Sequence, residues 1–68
     1  MEVATARNCL ELAVTNMGLS NRHWELSHAA NRAKLKVRAR EHRLMAEDYR
    51  RIAGNYEMLA TELAKLGA

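Results

Sequence analysis

The feature that most constrains this chain is a heptad. From Met45 to Leu66 the large apolar side chains fall at Met45, Tyr49, Ile52, Tyr56, Leu59, Leu63 and Leu66, in alternating steps of four and three. A helix with that repeat carries one apolar face meant for another helix. Glu47, Asp48, Arg50, Arg51, Glu57, Glu62 and Lys65 fall between them and seek water.

A chain of 68 residues holds one domain at most, here read as residues 1–68, and has little core of its own. Small folds are usually reinforced by disulfides, a metal or oligomerisation. One cysteine excludes an internal disulfide, and no Cys/His spacing suits zinc. Self-association is the remaining route. The chain has no proline and no phenylalanine, and Ala, Leu, Glu, Arg and Met dominate it. All favour helix, so the expected class is all-α.

Upstream, Val3, Ala6, Leu10, Ala13 and Met17 repeat by three and four and predict a first helix over about 2–17. Cys9 and Val14 widen that stripe, and Glu2 suits the positive end of the helix dipole. Gly18 reads as its left-handed cap, Ser20 as the next N-cap, and Leu19 with Trp24 as a hydrophobic staple. A turn at 18–20 would then join a short helix to a long one over about 21–66. Leu26, Ala30, Ala33 and Val37 carry the stripe to Glu41 and Met45. Gly54-Asn55 is a possible break, though the heptad keeps phase across it. The expected architecture is a helical hairpin with one short and one long helix. The uncovered part of the long seam would pair with a second copy, giving a coiled-coil-like four-helix bundle. Leu10, Met17, Trp24, Leu26, Val37, Leu63 and Leu66 are its expected dimer core.

The middle of the chain is basic. Arg32, Lys34, Lys36, Arg38, Arg40 and Arg43 occur with Glu41 as the only acid among them. On a helix Arg32, Lys36, Arg40 and Arg43 share a face, which would steer the chain toward an acidic surface or bind phosphates. The formal charge of +3 alone does not separate those uses. Residues 32–40 also alternate basic and apolar, the period of a half-buried strand. With helices over 42–53 and 56–66 after it, that pattern resembles the ribbon-helix-helix family of dimeric DNA binders. The resemblance implies strands paired across a dimer in the major groove, with Lys34, Lys36 and Arg38 facing DNA. Only Val37 is β-branched there, and Ala and Leu prefer helices, so the helical reading leads.

Catalytic signals are weak. Glu25-Leu26-Ser27-His28 has the Glu-x-x-His spacing and, with Glu11, is similar to half of a di-iron carboxylate site. One such motif in a Glu-rich helical chain more simply supplies a surface carboxylate and a partly buried histidine. Cys9 reads as a small core residue. Nothing sets a nucleophile against a base, so the chain is read as a non-enzyme that needs no cofactor. Its apolar runs are too short to span a membrane, and no signal segment opens it, so a cytoplasmic address is expected.

The functional expectation is a protein-interaction module: an inhibitor, adaptor or antirepressor, of a size that suits a phage or mobile-element origin. It would act as a homodimer and dock on a larger protein, an acidic one if the basic run steers it, through Met45, Tyr49, Ile52, Tyr56 and Leu59. The alternative is a dimeric DNA-binding regulator, of ribbon-helix-helix or basic-helix type, using residues 32–43.

Overall fold

A computed structural model describes residues 5–67. Two helices make up the fold, α1 (Ala6–Arg32) and α2 (Lys36–Lys65), packed as an antiparallel hairpin about 50 Å long. Thr5 starts α1: its hydroxyl oxygen accepts from the backbone N–H of Asn8 at 3.1 Å. The expected roles of Glu2 and Val3 lie outside the described residues.

The turn is not at 18–20, and the helices are roughly equal in length, not short and long. Gly18, Leu19 and Ser20 all lie inside α1. The reason is in the small residues. Ala13, Ser20 and Ser27 are buried and repeat by seven along α1. Ala39, Ala46, Ala53 and Ala60 do the same along α2. These two rows meet. Breaking α1 at Gly18 would cut the first row in half. Ser20 is therefore not an N-cap; its hydroxyl donates to the Ala46 carbonyl of the other helix at 2.7 Å. Ser27 donates to the Ala39 carbonyl, also at 2.7 Å.

Those two bonds set the register. Ser27 lies level with Ala39 and Ser20 with Ala46. Seven residues further on, Ala13 comes level with Ala53, and then Ala6 with Ala60. Side chains of one or two heavy atoms let the helix backbones approach until a hydroxyl on one reaches a carbonyl on the other. The interior is thus made of Cys9, Ala13, Ala30, the four α2 alanines and two serines. Beside it, one row on each helix is partly covered: His23 on α1, and His42, Tyr49, Tyr56 and Leu63 on α2.

The connection falls within the basic stretch. Leu35 N–H bonds to the Ala30 carbonyl at 2.8 Å and Lys34 N–H to that of Asn31 at 3.0 Å. This is a Schellman closure of α1. Its left-handed position, normally glycine, holds Lys34 at φ 62°. Residues 32–40 form no strand: Arg32 ends α1, Lys34 sits in the turn, and Lys36, Arg38 and Arg40 open α2. The alternative ribbon fails because Ala39 is needed in the helical row and is 4% exposed there. Gly54 does not interrupt α2.

Several expected core residues lie outside the intrachain seam. Val37 and Leu66 are well exposed, as are Leu10, Met17 and Leu26 to a lesser degree, while Trp24 and Leu63 are half-buried. The heptad read from Met45 was divided: Tyr49, Tyr56 and Leu63 lean on α1, whereas Met45, Ile52 and Leu59 stay open.

Ala46→Leu, at a fully buried position against Ser20, is expected to destabilise the hairpin by about 1–3 kcal/mol through overpacking. Val37→Ala should change stability by less than about 0.5 kcal/mol; urea unfolding monitored by helicity measures both. Lys34→Gly relieves the left-handed backbone and should stabilise by roughly 0.5–1 kcal/mol, strain relief exceeding the entropy cost of glycine. The same unfolding curves read this change.

Candidate protein-interaction face

The two small-residue rows divide the surface of the hairpin into two long faces. On a helix, the residue three positions after a small one leans to one side of the seam. The residue four positions after it leans to the other. In an antiparallel pair, corresponding rows from both helices fall on the same side. The contacts agree: His23 and His42, each three past a small residue, touch each other. Asn31 and Arg43, each four past one, line a common hollow on the other side.

The first face carries Asn16 and His23 from α1, and His42, Tyr49, Tyr56 and Leu63 from α2, all half-buried. Its flanks are the residues just before the small rows. These are Leu12, Leu19 and Leu26 on α1, and Met45, Ile52 and Leu59 on α2, with Arg38 at the turn end of the α2 row. Ile52 is 39% exposed and Met45 46% exposed. Large apolar groups of this kind usually fill a core; here alanines fill it and the large groups line a flank.

A polar cluster sits within this face. Nδ1 of His23 and Nδ1 of His42 are 3.0 Å apart. Such a bond needs one nitrogen protonated and the other bare, so the two imidazoles must differ in tautomer or charge. His23 also stacks on His42 at 5.2 Å between centroids and on Tyr49 at 5.5 Å. The three rings form a short pile that joins α1 to α2 beside the Ser20 bond.

The second face is divided lengthwise. Leu10, Met17 and Trp24 lie along its α1 edge, with Trp24 stacked on His28 at 6.2 Å. Lys36, Arg40 and Arg43 gather on its α2 edge, around a hollow that Ser27, Asn31 and Ala39 complete. Arg32, Lys34 and Arg38 do not line that hollow, so the turn divides the basic run. Lys36 stands in the first turn of α2, at the positive end of its dipole, and no acidic residue shares that turn.

The Glu-x-x-His residues come to no common centre. Glu11 pairs with Arg7 at 3.4 Å on the surface, and Glu25 and His28 are exposed. Among the described residues no three His, Cys, Asp or Glu side chains gather as a metal site. No helix among them is long and apolar enough to cross a membrane.

Of the residues expected to bind a partner, Met45, Ile52 and Leu59 are open on the first face, whereas Tyr49 and Tyr56 are half-buried in the hairpin. Leu12 and Leu19 complete the flank; neither is among the residues expected to bind a partner, and Leu19 reads in sequence as half of a staple with Trp24. The signal was present, since Leu12, Leu19 and Leu26 repeat by seven. No protein-family model matches the chain, and the comparisons with curated proteins and solved structures found no match.

The ring pile generates its own prediction. His23→Ala removes the His42 bond and both stacking contacts, and should cost about 1–2 kcal/mol. His28→Ala, at an exposed ring, should cost less than about 0.5 kcal/mol. Thermal unfolding of the two variants compares them.

Proposed function

We propose that this chain is a non-enzymatic protein-interaction module, an inhibitor, adaptor or antirepressor that docks through a helical face. The observation that supports this reading is the separation of small and large apolar residues. The hairpin closes on alanine and serine and leaves Leu12, Leu26, Met45, Ile52 and Leu59 on one open flank. A helix-face or helix-in-groove contact uses side chains at such spacing. Met45 at the end of the row adapts readily to a foreign surface. The basic edge around Lys36, Arg40 and Arg43 would speed encounter with an acidic partner. A cytoplasmic setting is part of the proposal, since the chain's one thiol, Cys9, is free and buried.

The residues to alter are the open ones. Tyr49 and Tyr56 also hold the hairpin together, so their loss would mix folding with docking. Met45→Lys with Ile52→Lys should leave helicity unchanged and abolish capture of the partner protein. Leu10→Lys on the opposite face should retain capture. Pull-down from lysate with far-UV circular dichroism as control distinguishes these; capture by the folded double variant would refute the docking face.

A second reading, a basic-helix nucleic-acid binder, draws on the hollow lined by Lys36, Arg40 and Arg43. It expects binding to duplex DNA that falls steeply with salt. Arg40→Ala with Arg43→Ala should weaken that binding across sequences and flatten the salt slope by about two, one for each lost phosphate contact. Fluorescence anisotropy at two ionic strengths tests it, and affinity unchanged by the double substitution would count against it.

A further inference from the structure

We infer that the open flank is occupied by a second copy of this chain, related by a twofold axis parallel to the hairpin, with Arg22 of each copy set between Glu41 and Asp48 of the other. The inference rests on the docking face proposed above and names its occupant. It follows from size, spacing and charge.

The 50 × 18 Å outline of the hairpin gives each long face a footprint near the roughly 800 Å² per partner that stable protein interfaces bury. The flank is also self-complementary in height. With Ser20 level with Ala46, Leu12, Leu19 and Leu26 of one helix interleave in level with Leu59, Ile52 and Met45 of the other. A twofold axis parallel to the helices lays α1 of one copy over α2 of the other at the same level. The leucines then enter the gaps of the second copy's Met45, Ile52 and Leu59 row. All neighbouring helices run antiparallel, as in a four-helix bundle.

Charge selects this arrangement over its rival. The outer rim of the flank is formed by the residues two past each small one. On α2 these include Glu41, Asp48 and Glu62; on α1 they include Asn8, Thr15 and Arg22. Glu62 pairs with Lys65 and Asp48 with Arg51 on the exposed surface of α2. Among the described residues Arg22 and Glu41 make no ion pair within the chain. With α1 laid over α2, Arg22 falls three residues from the level of Glu41 and four from that of Asp48, about 4.5 and 6 Å along the axis. An arginine side chain spans either offset. A twofold axis perpendicular to the helices would instead lay α2 on α2, with one acidic rim against another. Like charges at that spacing disfavour it.

In the parallel arrangement the His23–His42 pair of each copy reaches the same level in the interior. That gives a polar layer of four imidazoles beside the half-buried Asn16, and buried polar groups of this kind can fix register in helical assemblies.

Sedimentation equilibrium of the full 68-residue chain tests the inference, with circular dichroism to verify the fold of each variant. The chain should sediment as a dimer, and Ile52→Lys, or Leu59→Lys if the first fails to fold, should sediment as a monomer. Arg22→Glu should weaken the dimer by roughly tenfold or more, because it turns exposed attractions into repulsions in both halves. Adding Glu41→Arg and Asp48→Arg to Arg22→Glu should restore it. A dimer that ignores Arg22→Glu, or one that the triple change fails to restore, overturns the arrangement. A monomeric parent chain overturns the inference altogether. If the Met45→Lys, Ile52→Lys chain then still loses lysate capture, the docking face survives with a different occupant; if capture is unaffected, both readings fall.

Discussion

Everything in this hairpin depends on how closely its two helices approach. Two serine hydroxyls on α1 reach main-chain carbonyls on α2 at 2.7 Å. A carbonyl oxygen has two lone pairs, so Ala39 and Ala46 can each serve their own helix and a serine together. This geometry is open only to side chains the size of Ala, Ser and Cys. It also fixes register: a slip by one residue would strand both buried hydroxyls and put larger side chains into the seam. Buried donors left without partners cost more than the bonds contribute. The serines therefore specify the alignment more strongly than alanine alone, while the alanines make it sterically possible.

Close approach has a consequence for the large side chains. Leu, Met and Ile do not fit between helices this near, so they are displaced to the flanks. The chain spends its smallest residues on its own closure and leaves its most apolar ones facing outward. A core of alanine and serine buries little area per residue, and at about 25 cal/mol per Å² it contributes little. Covering the flanks would add apolar burial to a two-helix chain with such an interior. The proposed reading as an interaction module draws on this small interior as well as on the exposed flank.

The class of the fold was legible in composition and periodicity: helix formers without proline, arranged as a hairpin. The division between seam and flank was not. Reading for large apolar residues finds the heptad from Met45 to Leu66, but that heptad contains two rows with different destinations. Tyr49, Tyr56 and Leu63 lean toward α1, while Met45, Ile52 and Leu59 do not. The decisive repeat was Ala39, Ala46, Ala53 and Ala60, and alanine passes as filler because it is common in any helix. Gly18 and Ser20 misled for a related reason. Gly followed by Ser is a fair cap signal taken locally, but Ser20 belongs to the row that runs from Ala13 to Ser27. The true turn carries Lys34 at a positive φ, where glycine would be the local expectation. Contrast Gly67, which takes the same left-handed backbone after α2 without strain.

The turn also alters what the basic residues can do. As one continuous helix, residues 32–43 would present a single phosphate-binding stripe. The turn instead leaves Arg32 at the negative end of α1's dipole, where a cation is stabilising, and sets Lys36, Arg38 and Arg40 at the positive end of α2, where it is not. The second group is held against an unfavourable dipole with no acidic residue in the first turn to offset it. Fold stability does not account for cations in that place, because acidic side chains would serve α2 better. On either proposed reading an anionic partner at Lys36 would relieve that conflict, and this end of the hairpin lies beyond Leu26 and Met45, the last residues of the apolar flank. The two features are separable on this ground: one face is shaped by apolar spacing, and one end is marked by charge that the helix itself does not favour.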